Sequence, residues 1–511
     1  MTIESPILAE WTTLQARIRP HAVAVQFEDR QLTYAELEAR ANCVAQGLIA
    51  AGCRPGARVG IVARNSDTFV EILMGALKAR AVLLAVNWRL AAPEIRYILD
   101  HGEAEFLFVE DEFLPTVRAA AGSRPVVVMG KGGYAAWRDA NAAEVPNLAY
   151  DPADVIVQMY TSGTTGLPKG VQLTNHNYTS YINIFTHVPW QNSAPEDTMF
   201  APAPFFHVNG INAVLRSIHS GSRLITIDQF RPADAVATFA REKVTRATLA
   251  PAMIQMCLEV PGIEKLDFSH LKLITYGGSP IAERVMVEAG RVFGCRFAQG
   301  YGMTEATSAI VMLAPDDHVA ARGKLKSCGR PLPGVEVRVV DADGKPCPPR
   351  GIGEVVVRGP VVTKGYWRDD RATSSTIIDG WLHTGDAAYF DEEGYLYIHD
   401  RVKEMIVSGG ENIYPAEVEN ALFHHPDVAD AAVIGVPHEK WGEAVKALVV
   451  VKPGVTLSES ALIEHARGHI AGYKVPKSVE FVSTIPRNAA GKILRRELRK
   501  PYWENRERNV N

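Results

Sequence analysis

The chain has 511 residues, which is more than one compact hydrophobic core usually holds, so two or three domains are expected. Hydrophobic residues make up 47% of the chain and charged residues 22%, a balance that excludes a disordered protein. The 54 basic residues are offset by 58 acidic ones, for a net charge of −4, so no nucleic-acid partner is expected.

Other features of the sequence bear on location. Six scattered cysteines without a C-x-x-C pair indicate free thiols in a reducing compartment, and neither zinc ligands nor disulfides. The N-terminus lacks the basic start and apolar core of a signal peptide. The most apolar stretch, 70–88, is interrupted by Glu71, Lys78 and Arg80, so no transmembrane segment is predicted. A cytoplasmic protein is therefore expected, with the oligomeric state open, a homodimer included.

The first hundred residues alternate between helical and strand periodicity. Thr33 and Glu36 predict a capping box, at the start of a helix that Gly52 ends. Strands are predicted over 58–62, 81–86 and 106–109, and helices over 67–79 and 92–100. The alternation returns at 223–227, 233–243, 247–250, 271–276 and 282–293. This pattern predicts an α/β fold with mostly parallel sheets covered by helices on both faces.

From about residue 329 the pattern changes. Short strands over 335–340, 353–358 and 395–399, separated by Pro/Gly/Asp turns, predict a small antiparallel, barrel-like unit. After Asp400, helices over 416–423 and 458–470 and strands over 431–436 and 444–451 predict a small α+β C-terminal domain. The domain boundary is expected near residues 400–403.

The strongest motif is a predicted loop after the apolar run 155–157, with the sequence Tyr160-Thr161-Ser162-Gly163-Thr164-Thr165-Gly166-Leu167-Pro168-Lys169-Gly170. A glycine-rich loop that leaves a strand can point several backbone N–H groups at one anion, and a lysine adds a positive charge. The loop departs from the usual P-loop because Pro168 stands where a glycine should precede the lysine. A flexible surface turn is the alternative. The lysine, the spacing and the preceding strand favour polyphosphate binding.

Five further segments carry polar groups that a purely structural role does not require. They lie at 204–210 with His207, at 276–280 with Gly277, Gly278 and Ser279, at 299–305 with Tyr301, Thr304 and Glu305, at 383–386 with Asp386 followed by Arg401, and at 486–492 with Lys492. Each has a structural alternative: a buried core histidine, glycines at a strand end, a helix start with Thr304 as N-cap, a turn aspartate and a surface lysine.

Together and in this order, the six motifs resemble the adenylate-forming superfamily of acyl-CoA synthetases, amino-acid adenylation domains and beetle luciferases, over essentially the whole chain. The resemblance implies that a carboxylate attacks the α-phosphate of Mg·ATP, giving an acyl-adenylate and pyrophosphate, and that the thiol of coenzyme A then displaces AMP. It also implies an N-terminal domain over 1–399, a hinge over 400–403 that includes Lys403, and a mobile C-terminal domain over 404–511.

The resemblance implies a role for each motif. Residues 161–166 and Lys169 would hold the β- and γ-phosphates, Thr304 would contact the α-phosphate, and Glu305 would bind Mg²⁺. Tyr301 and the backbone of Gly277, Gly278 and Ser279 would form the adenine slot, while Asp386 and Arg401 would fix the ribose. Lys492 would bridge the phosphates and the acyl carboxylate. After rotation of the small domain, Ser408, Gly409 and Gly410 would admit the pantetheine arm of coenzyme A.

The resemblance also implies which residues line the acyl pocket: His207 as a gate or wall, with Val208, Asn209, Ile211, Asn212, Met303, Ala306 and Ala309. No Asp follows the Phe205-Phe206 pair to meet an α-amino group, and no nearby Arg or Lys meets a second carboxylate, so amino acids and diacids are disfavoured. A neutral acid is left, with a fatty acid placed first and aryl or alicyclic acids as alternatives. Asn209 and Asn212 are expected to bond to backbone groups.

The thiol acceptor and the activity itself have alternatives. No carrier-protein segment follows Asn511, so coenzyme A is expected as acceptor, with an acyl-carrier protein as the alternative. A luciferase-like oxidation and a non-catalytic nucleotide sensor are further alternatives. The sensor is disfavoured because Lys169, Glu305 and Lys492 are all present.

Overall fold

The computed structural model describes residues 5–130, 133–161, 167–278, 281–319, 322–401, 404–408, 411–438, 441–470, 472–487 and 493–503. The strands are β1 (Val23–Phe27), β2 (Arg30–Thr33), β3 (Arg58–Val62), β4 (Val82–Ala85), β5 (Ala104–Glu110), β6 (Val126–Met129), β7 (Val155–Thr161), β8 (Lys169–Thr174), β9 (Thr198–Phe200), β10 (Arg223–Thr226), β11 (Arg246–Leu249), β12 (Leu273–Gly277), β13 (Arg296–Met303), β14 (Ser308–Leu313), β15 (Arg330–Pro331), β16 (Glu336–Val340), β17 (Gly353–Arg358), β18 (Gly365–Tyr366), β19 (Ile377–Ile378), β20 (Trp381–Phe390), β21 (Leu396–Arg401), β22 (Ile406–Ser408), β23 (Glu411–Ile413), β24 (Val428–His438), β25 (Gly442–Val451) and β26 (Ser478–Phe481). The helices are α1 (Trp11–Ile18), α2 (Tyr34–Ala50), α3 (Asp67–Lys78), α4 (Ala92–His101), α5 (Leu114–Ala121), α6 (Gly133–Asp139), α7 (Asn175–Thr186), α8 (Val208–Ser220), α9 (Pro232–Arg241), α10 (Pro251–Leu258), α11 (Glu283–Phe293), α12 (Asp370–Thr376), α13 (Pro415–Phe423), α14 (Glu459–Arg467) and α15 (Arg495–Trp503).

Two large sheets are built mainly from parallel strands. One has the order β18-β8-β7-β4-β3-β5-β6, and its pairs from β7 to β6 are parallel. The other has the order β15-β14-β13-β12-β11-β9-β10-β1-β2 and is parallel from β13 to β1. Antiparallel strands lie at the edges, including β8 beside β7 and β14 beside β13. The predicted α/β class with mostly parallel sheets is confirmed.

Helix α2 shows how the local sequence starts these elements. The Thr33 side chain accepts a hydrogen bond from the Glu36 backbone, and the Glu36 carboxylate accepts one from the Thr33 backbone at 2.8 Å. The bond from the Thr33 backbone lowers the pKa of Glu36, because it favours the ionised carboxylate. Leu37, Ala41 and Val44 then follow at helical spacing and are fully buried. The predicted capping box is confirmed.

The predicted loop over 160–170 needs a correction. β7 continues to Thr161 and β8 begins at Lys169, so both ends of that segment belong to a β-hairpin. The alternating residues Val157 and Met159 in β7 and Val171 and Leu173 in β8 are buried, which extends the pairing beyond the apolar run seen in the sequence.

A smaller antiparallel sheet has the order β16-β17-β20-β19, with β21 also paired to β20. This confirms the predicted antiparallel unit. The C-terminal sheet has the order β23-β22-β25-β24, with β26 also paired to β25. Helices α13 and α14 contribute Val418 and Leu462 to its core, together with Ile406, Val433 and Val445, all at or near zero exposure.

The chain divides into two compact units. The first consists of Met1–Leu325, Gly329–Val337 and Val357–Leu382, and the second of Lys326–Cys328, Arg338–Val356 and His383–Asn511. The domain bounds at 1–399, 400–403 and 404–511 stay predictions.

All six cysteines are free thiols, as predicted. Within the described ranges, no helix is long and apolar enough to cross a membrane.

Candidate active site

The two described ends of the predicted phosphate loop face each other. Thr161, the last residue of β7, is the cross-strand partner of Lys169, the first residue of β8. Next to this pair, the Tyr160 hydroxyl lies 2.7 Å from Nδ1 of His101, the last residue of α4. Ser162, Gly163, Thr164, Thr165 and Gly166 lie outside the described residues. The hairpin thus brings a hydroxyl and a lysine to one sheet edge.

Glu305 lies next to this hairpin and is 6% exposed. Its Oε1 atom accepts hydrogen bonds from the Tyr366 hydroxyl at 3.0 Å and from the Thr161 hydroxyl at 3.3 Å. The Lys169 Nζ atom lies 4.9 Å from the centre of the Tyr366 ring. Burial, and then the charge of Glu305, raise the pKa of Tyr366 well above its usual value, so it stays a hydrogen-bond donor. Thr161 and Tyr366 therefore meet at Glu305, and Lys169 lies over the Tyr366 ring.

Tyr366 was not identified in the sequence analysis. It lies on the two-residue strand β18, which pairs with β8 through Gly365 and Gln172 and through Tyr366 and Val171. A two-residue strand has no recognisable periodicity, so the pairing that places this tyrosine beside Glu305 has no local signal.

The Glu305 carboxylate is suited to hold a magnesium ion. Oε1 takes both hydrogen bonds, whereas Oε2 accepts none from any described residue and stays available for a hard cation. No group of three or more His, Cys, Asp or Glu in the described ranges could hold a metal by itself. An ion bound by Glu305 would therefore take its other ligands from phosphate oxygens and water, as magnesium does.

The predicted adenine slot lies at the ends of parallel strands. Gly277 ends β12 and pairs with Gly300 in β13, next to Tyr301. A Cβ atom on Gly277 would collide with the Gly300 carbonyl oxygen, so this position requires glycine. Gly278 has φ +83°, which also favours glycine. Ser279 lies outside the described residues.

The segment after β13 forms a tight turn. Residues Thr304–Ala306 form a single 3-10 turn, preceded by Met303 and followed by Thr307 in the left-handed region at φ 58°. The alternative in which Thr304 caps an α-helix is therefore wrong. The turn directs the Glu305 carboxylate towards Thr161.

The predicted acyl-pocket residues begin at the N-terminus of α8. His207 precedes the helix, and its buried Nε2 atom has no hydrogen-bond partner in the described part of the chain. Burial, and then the charge of Arg89, lower the pKa of His207 to about 4, so it is neutral near pH 7. Val208 and Ile211 are buried in the first turn of the helix. The geometry agrees with a pocket wall and gives His207 no described acid–base partner.

Two hydrogen bonds join α8 to the turn that carries Glu305. Asn212 Nδ2 donates to the Thr307 carbonyl at 2.8 Å, and the Ser308 hydroxyl donates to Asn209 Oδ1. The expected backbone bond is therefore confirmed for Asn212. It is wrong for Asn209, which meets a side chain.

Helix α8 also carries a cation, Arg216, beyond the predicted acyl-pocket residues. Arg216 lies on α8, one helical turn beyond Asn212, and therefore on the same face. Its Nη2 atom donates to both the carbonyl and Oε1 of Gln191, each at 3.0 Å.

In the second unit, Asp386 and Arg401 are cross-strand partners in β20 and β21. The Asp386 backbone N–H donates to the Thr384 hydroxyl at 3.1 Å. The turn-aspartate alternative is therefore wrong, since Asp386 lies within a strand. The Arg401 side chain lies outside the described part.

Ser408 ends β22 and is the cross-strand partner of Glu411 in β23. The intervening Gly409 and Gly410 lie outside the described residues, as do the predicted hinge residue Lys403 and the predicted catalytic residue Lys492.

The chain is anchored on both sides of the segment 488–492, which contains Lys492. Before it, Arg487 Nη2 contacts Asp430 Oδ1 at 2.7 Å. After it, Arg495 Nη2 contacts both carboxylate oxygens of Glu419 at 2.8 Å, and Arg495 Nη1 contacts Glu404 Oε2 at 2.6 Å. Arg495 is 9% exposed, so these ion pairs are largely shielded from solvent. This arginine was missed because its partners are 76 and 91 residues away in sequence.

A family model described as AMP-binding enzyme matches residues 13–367, and a model described as AMP-binding enzyme C-terminal domain matches residues 417–492. A fatty acid–[acyl-carrier-protein] ligase of Streptomyces coeruleorubidus is 40% identical over 512 residues, covering 99% of this chain and 98% of that protein. A feruloyl-CoA synthase of an Amycolatopsis species is 40% identical over 499 residues, covering 97% of this chain and 99% of that protein.

Solved structures resemble the chain over a similar length. ATP-bound MatB from Rhodopseudomonas palustris has a TM-score of 0.91 and 30% identity, with 98% of this chain and 99% of that chain covered. The O-succinylbenzoate coenzyme A synthetase from Bacillus subtilis, in complex with ATP and a magnesium ion, has a TM-score of 0.86 and 30% identity. The match covers 96% of this chain and 99% of that chain.

Proposed function

The chain belongs to the AMP-binding enzyme family of ATP-dependent, AMP-forming acid–thiol ligases, and we propose that it joins a carboxylic acid to coenzyme A through an acyl-adenylate. Membership confirms the resemblance inferred from the six motifs. The observation that carries the proposal is the grouping of Thr161 and Tyr366 on the Glu305 carboxylate, with Lys169 beside the Tyr366 ring. A hydroxyl, an ammonium group and a carboxylate with one open oxygen suit a triphosphate and its magnesium ion.

In the first half-reaction, a carboxylate oxygen of the acid bonds to the α-phosphorus of ATP, and the bond from that phosphorus to pyrophosphate breaks. Negative charge gathers on the phosphate oxygens, so positioning and electrostatics supply most of the catalysis. Lys169 and the loop after Thr161 would hold the β- and γ-phosphates, and Thr304 the α-phosphate. Glu305 would hold magnesium, which neutralises phosphate charge when bound.

The remaining assignments rest on the family resemblance. Lys492 would lie between the acid carboxylate and the α-phosphate and reduce their repulsion. Asp386 and Arg401 would fix the ribose, an assignment supported by their cross-strand pairing. In the second half-reaction, the thiol sulfur bonds to the acyl carbon and AMP leaves with its phosphate oxygen. Rotation about Lys403 would bring Ser408, Gly409 and Gly410 to the pantetheine arm.

The acid and the acceptor are the finer parts of the proposal. The sequence places a fatty acid first, with aryl and alicyclic acids as alternatives. An acyl-carrier protein is a second candidate acceptor, since one relative of that activity is 40% identical along 99% of the chain. A coenzyme A ligase is also 40% identical, so identity alone does not choose between the two acceptors.

The test measures pyrophosphate release from Mg·ATP with straight-chain fatty acids, benzoate, cinnamates, cyclohexanecarboxylate and a polycyclic acid, each with and without coenzyme A. We expect release that requires an acid, and a thioester that requires both. Adenylate without a coenzyme A thioester, but with acyl transfer to a carrier protein, would favour the second acceptor. ATP binding without release on any acid would refute the ligase proposal in favour of a nucleotide sensor.

A lysine pair tests the assignment of Lys492. Lys492→Ala should slow adenylate formation about 100- to 1,000-fold, because a preorganised charge on the transition state is lost. Thioester formation from supplied acyl-adenylate should be slowed much less. Lys452→Ala is the matched control on an exposed residue of the same unit and should leave both rates unchanged.

A further inference from the structure

The facing surfaces of α7 and α8 contain buried polar atoms that lack partners. Tyr178 Oη on α7 and Asn212 Oδ1 on α8 are buried and have no hydrogen-bond partner among the described residues. His207 Nε2, just before α8, is also buried without a hydrogen-bond partner among the described residues. The same holds for Ser193 Oγ, beyond the end of α7. An unsatisfied buried polar atom is destabilising, so such a group indicates a ligand with polar atoms of its own.

Arg216 adds a charge to this surface. Its guanidinium lies 4.6 Å from the Phe185 ring centre and donates only to Gln191, through Nη2. No described carboxylate forms an ion pair with it, and neither Nε nor Nη1 donates to any described residue. Burial lowers the pKa of Arg216 to about 10, which leaves it charged at neutral pH. Arg216 lines a small pocket together with Gln191, Ser193 and Ser220.

Helix geometry connects this charge to the reacting end of the acyl pocket. Val208, Asn212 and Arg216 are spaced by four residues and share one face of α8. Nine residues separate His207 from Arg216, about 13 Å along the axis, and helical side chains lean back towards the N-terminus. Tyr181, on the facing side of α7, interacts with Arg216 and with Ser308, whose hydroxyl bonds to Asn209. Arg216 therefore lies on the face of α8 that also carries the predicted acyl-pocket residues Val208 and Asn212.

A plain hydrocarbon chain along this face would remove water from these groups and return no hydrogen bonds. The penalty would fall mainly on Arg216, because a charged donor loses the most when it is desolvated without a partner. An acid with an oxygen at its far end would instead accept hydrogen bonds from the open Nε and Nη1 atoms.

We propose that the acid substrate carries a hydrogen-bond-accepting oxygen at the end remote from its reacting carboxylate, and that Arg216 binds this oxygen. The oxygen is that of a phenol, ether, carbonyl or second carboxylate. The inference rests on the proposed ligase function and specifies its substrate class. It replaces the plain fatty acid that the sequence placed first.

The experiment compares acids in pairs that match in size and differ at the remote end. The pairs are 4-hydroxycinnamate with cinnamate, 4-methoxycinnamate with 4-ethylcinnamate, and 8-oxononanoate with nonanoate. Nonanedioate and 4-carboxycinnamate test the anionic form of the same oxygen. We expect kcat/KM for acid-dependent pyrophosphate release to be about 10- to 100-fold higher for the oxygen-bearing member of at least one pair.

Arg216→Met keeps the length and apolar packing of the side chain and removes the donors. It should reduce the ratio within the preferred pair to near one, while Arg216→Lys should retain part of it. Arg291→Met is the matched control, since Arg291 lies on α11 with 66% side-chain exposure, and it should keep the wild-type ratio. Thermal unfolding identifies any variant that fails to fold, and the ratio in the unmutated protein tests the inference without a variant.

The outcomes separate this inference from the function on which it rests. If no acid releases pyrophosphate, the ligase proposal fails and this inference falls with it. If apolar members react as well as their partners, or Arg216→Met slows both members of a pair equally, only this inference fails. A preference for the diacids over the neutral oxygen-bearing acids would support it and identify the oxygen as a carboxylate.

Discussion

Tyr366→Phe is the most direct test of the group around Glu305. The substitution removes one hydroxyl and retains the ring that lies 4.9 Å from Lys169 Nζ. The deleted hydrogen bond is 3.0 Å long and buried, and its acceptor is a carboxylate. Hydrogen bonds of this class contribute about 1.5–3 kcal/mol. The donor that remains on the same oxygen, Thr161, is 3.3 Å away and weaker.

The expected result is a specific loss in the first half-reaction. With one donor gone, the Glu305 carboxylate is less firmly oriented for magnesium, so kcat/KM for Mg·ATP should fall about 10- to 100-fold. The assay measures pyrophosphate release at varied Mg·ATP with a saturating acid. Thioester formation from supplied acyl-adenylate should fall much less, since it needs no triphosphate.

Tyr150→Phe is the matched control. The Tyr150 hydroxyl also donates a partly buried hydrogen bond, at 2.9 Å, but its acceptor is the backbone carbonyl of Lys78, which is uncharged, and not a carboxylate. We expect a stability loss of about 1 kcal/mol and unchanged kinetics. The reasoning is refuted if Tyr366→Phe leaves the dependence on Mg·ATP unchanged, or if both half-reactions slow equally.

Three further predictions concern packing and charge. Arg495→Met should reduce the free energy of unfolding, measured in urea, by about 3–5 kcal/mol, because it leaves the Glu419 carboxylate buried without its arginine partner. The double variant Arg495→Met/Glu419→Met should recover much of this loss. Asp197 should contribute about 2 kcal/mol of stability above pH 4 that is lost as the pH falls towards 2, because burial is outweighed by hydrogen bonds and nearby cations that lower its pKa from 3.8 to about 2. Acid titration of unfolding should therefore show a shallower fall for Asp197→Asn, and an equal fall would contradict this assignment. Gly277→Ala should raise the KM for ATP without a comparable change for the acid, because the added Cβ meets the Gly300 carbonyl at the strand edge.

Two arginines form ion pairs on either side of the segment 488–492. Arg487 and Arg495 hold the chain on either side of this segment through ion pairs with Asp430 and Glu419. Arg495 Nη2 donates to both carboxylate oxygens of Glu419, and charge-assisted hydrogen bonds of this kind are stronger than neutral ones.

Much of the fold could be predicted from the sequence because the patterns that indicate helices and strands are local. The capping box at Thr33 and the helical spacing of buried residues in α2 depend on neighbours a few positions apart. Thr161, Lys169 and Glu305 were selected from short motifs in the same way, and the roles that the resemblance implies for them stay predictions. The predictions were wrong where strand pairing lengthens a strand beyond its local signal. Both ends of the predicted loop, for example, belong to the paired strands β7 and β8.

The sequence by itself determined the fold class and the residue types of the nucleotide site, because hydrogen bonds within a helix, strand periodicity and glycine requirements act over short stretches of chain. Only the tertiary structure decided which distant residues complete the site. Tyr366 reaches Glu305 because β18 pairs with β8, and Asn212 of α8 reaches the Thr307 carbonyl 95 residues away in sequence. Such partners depend on strand order and helix packing, which arise from the sum of many long-range contacts and leave no pattern at the residues themselves.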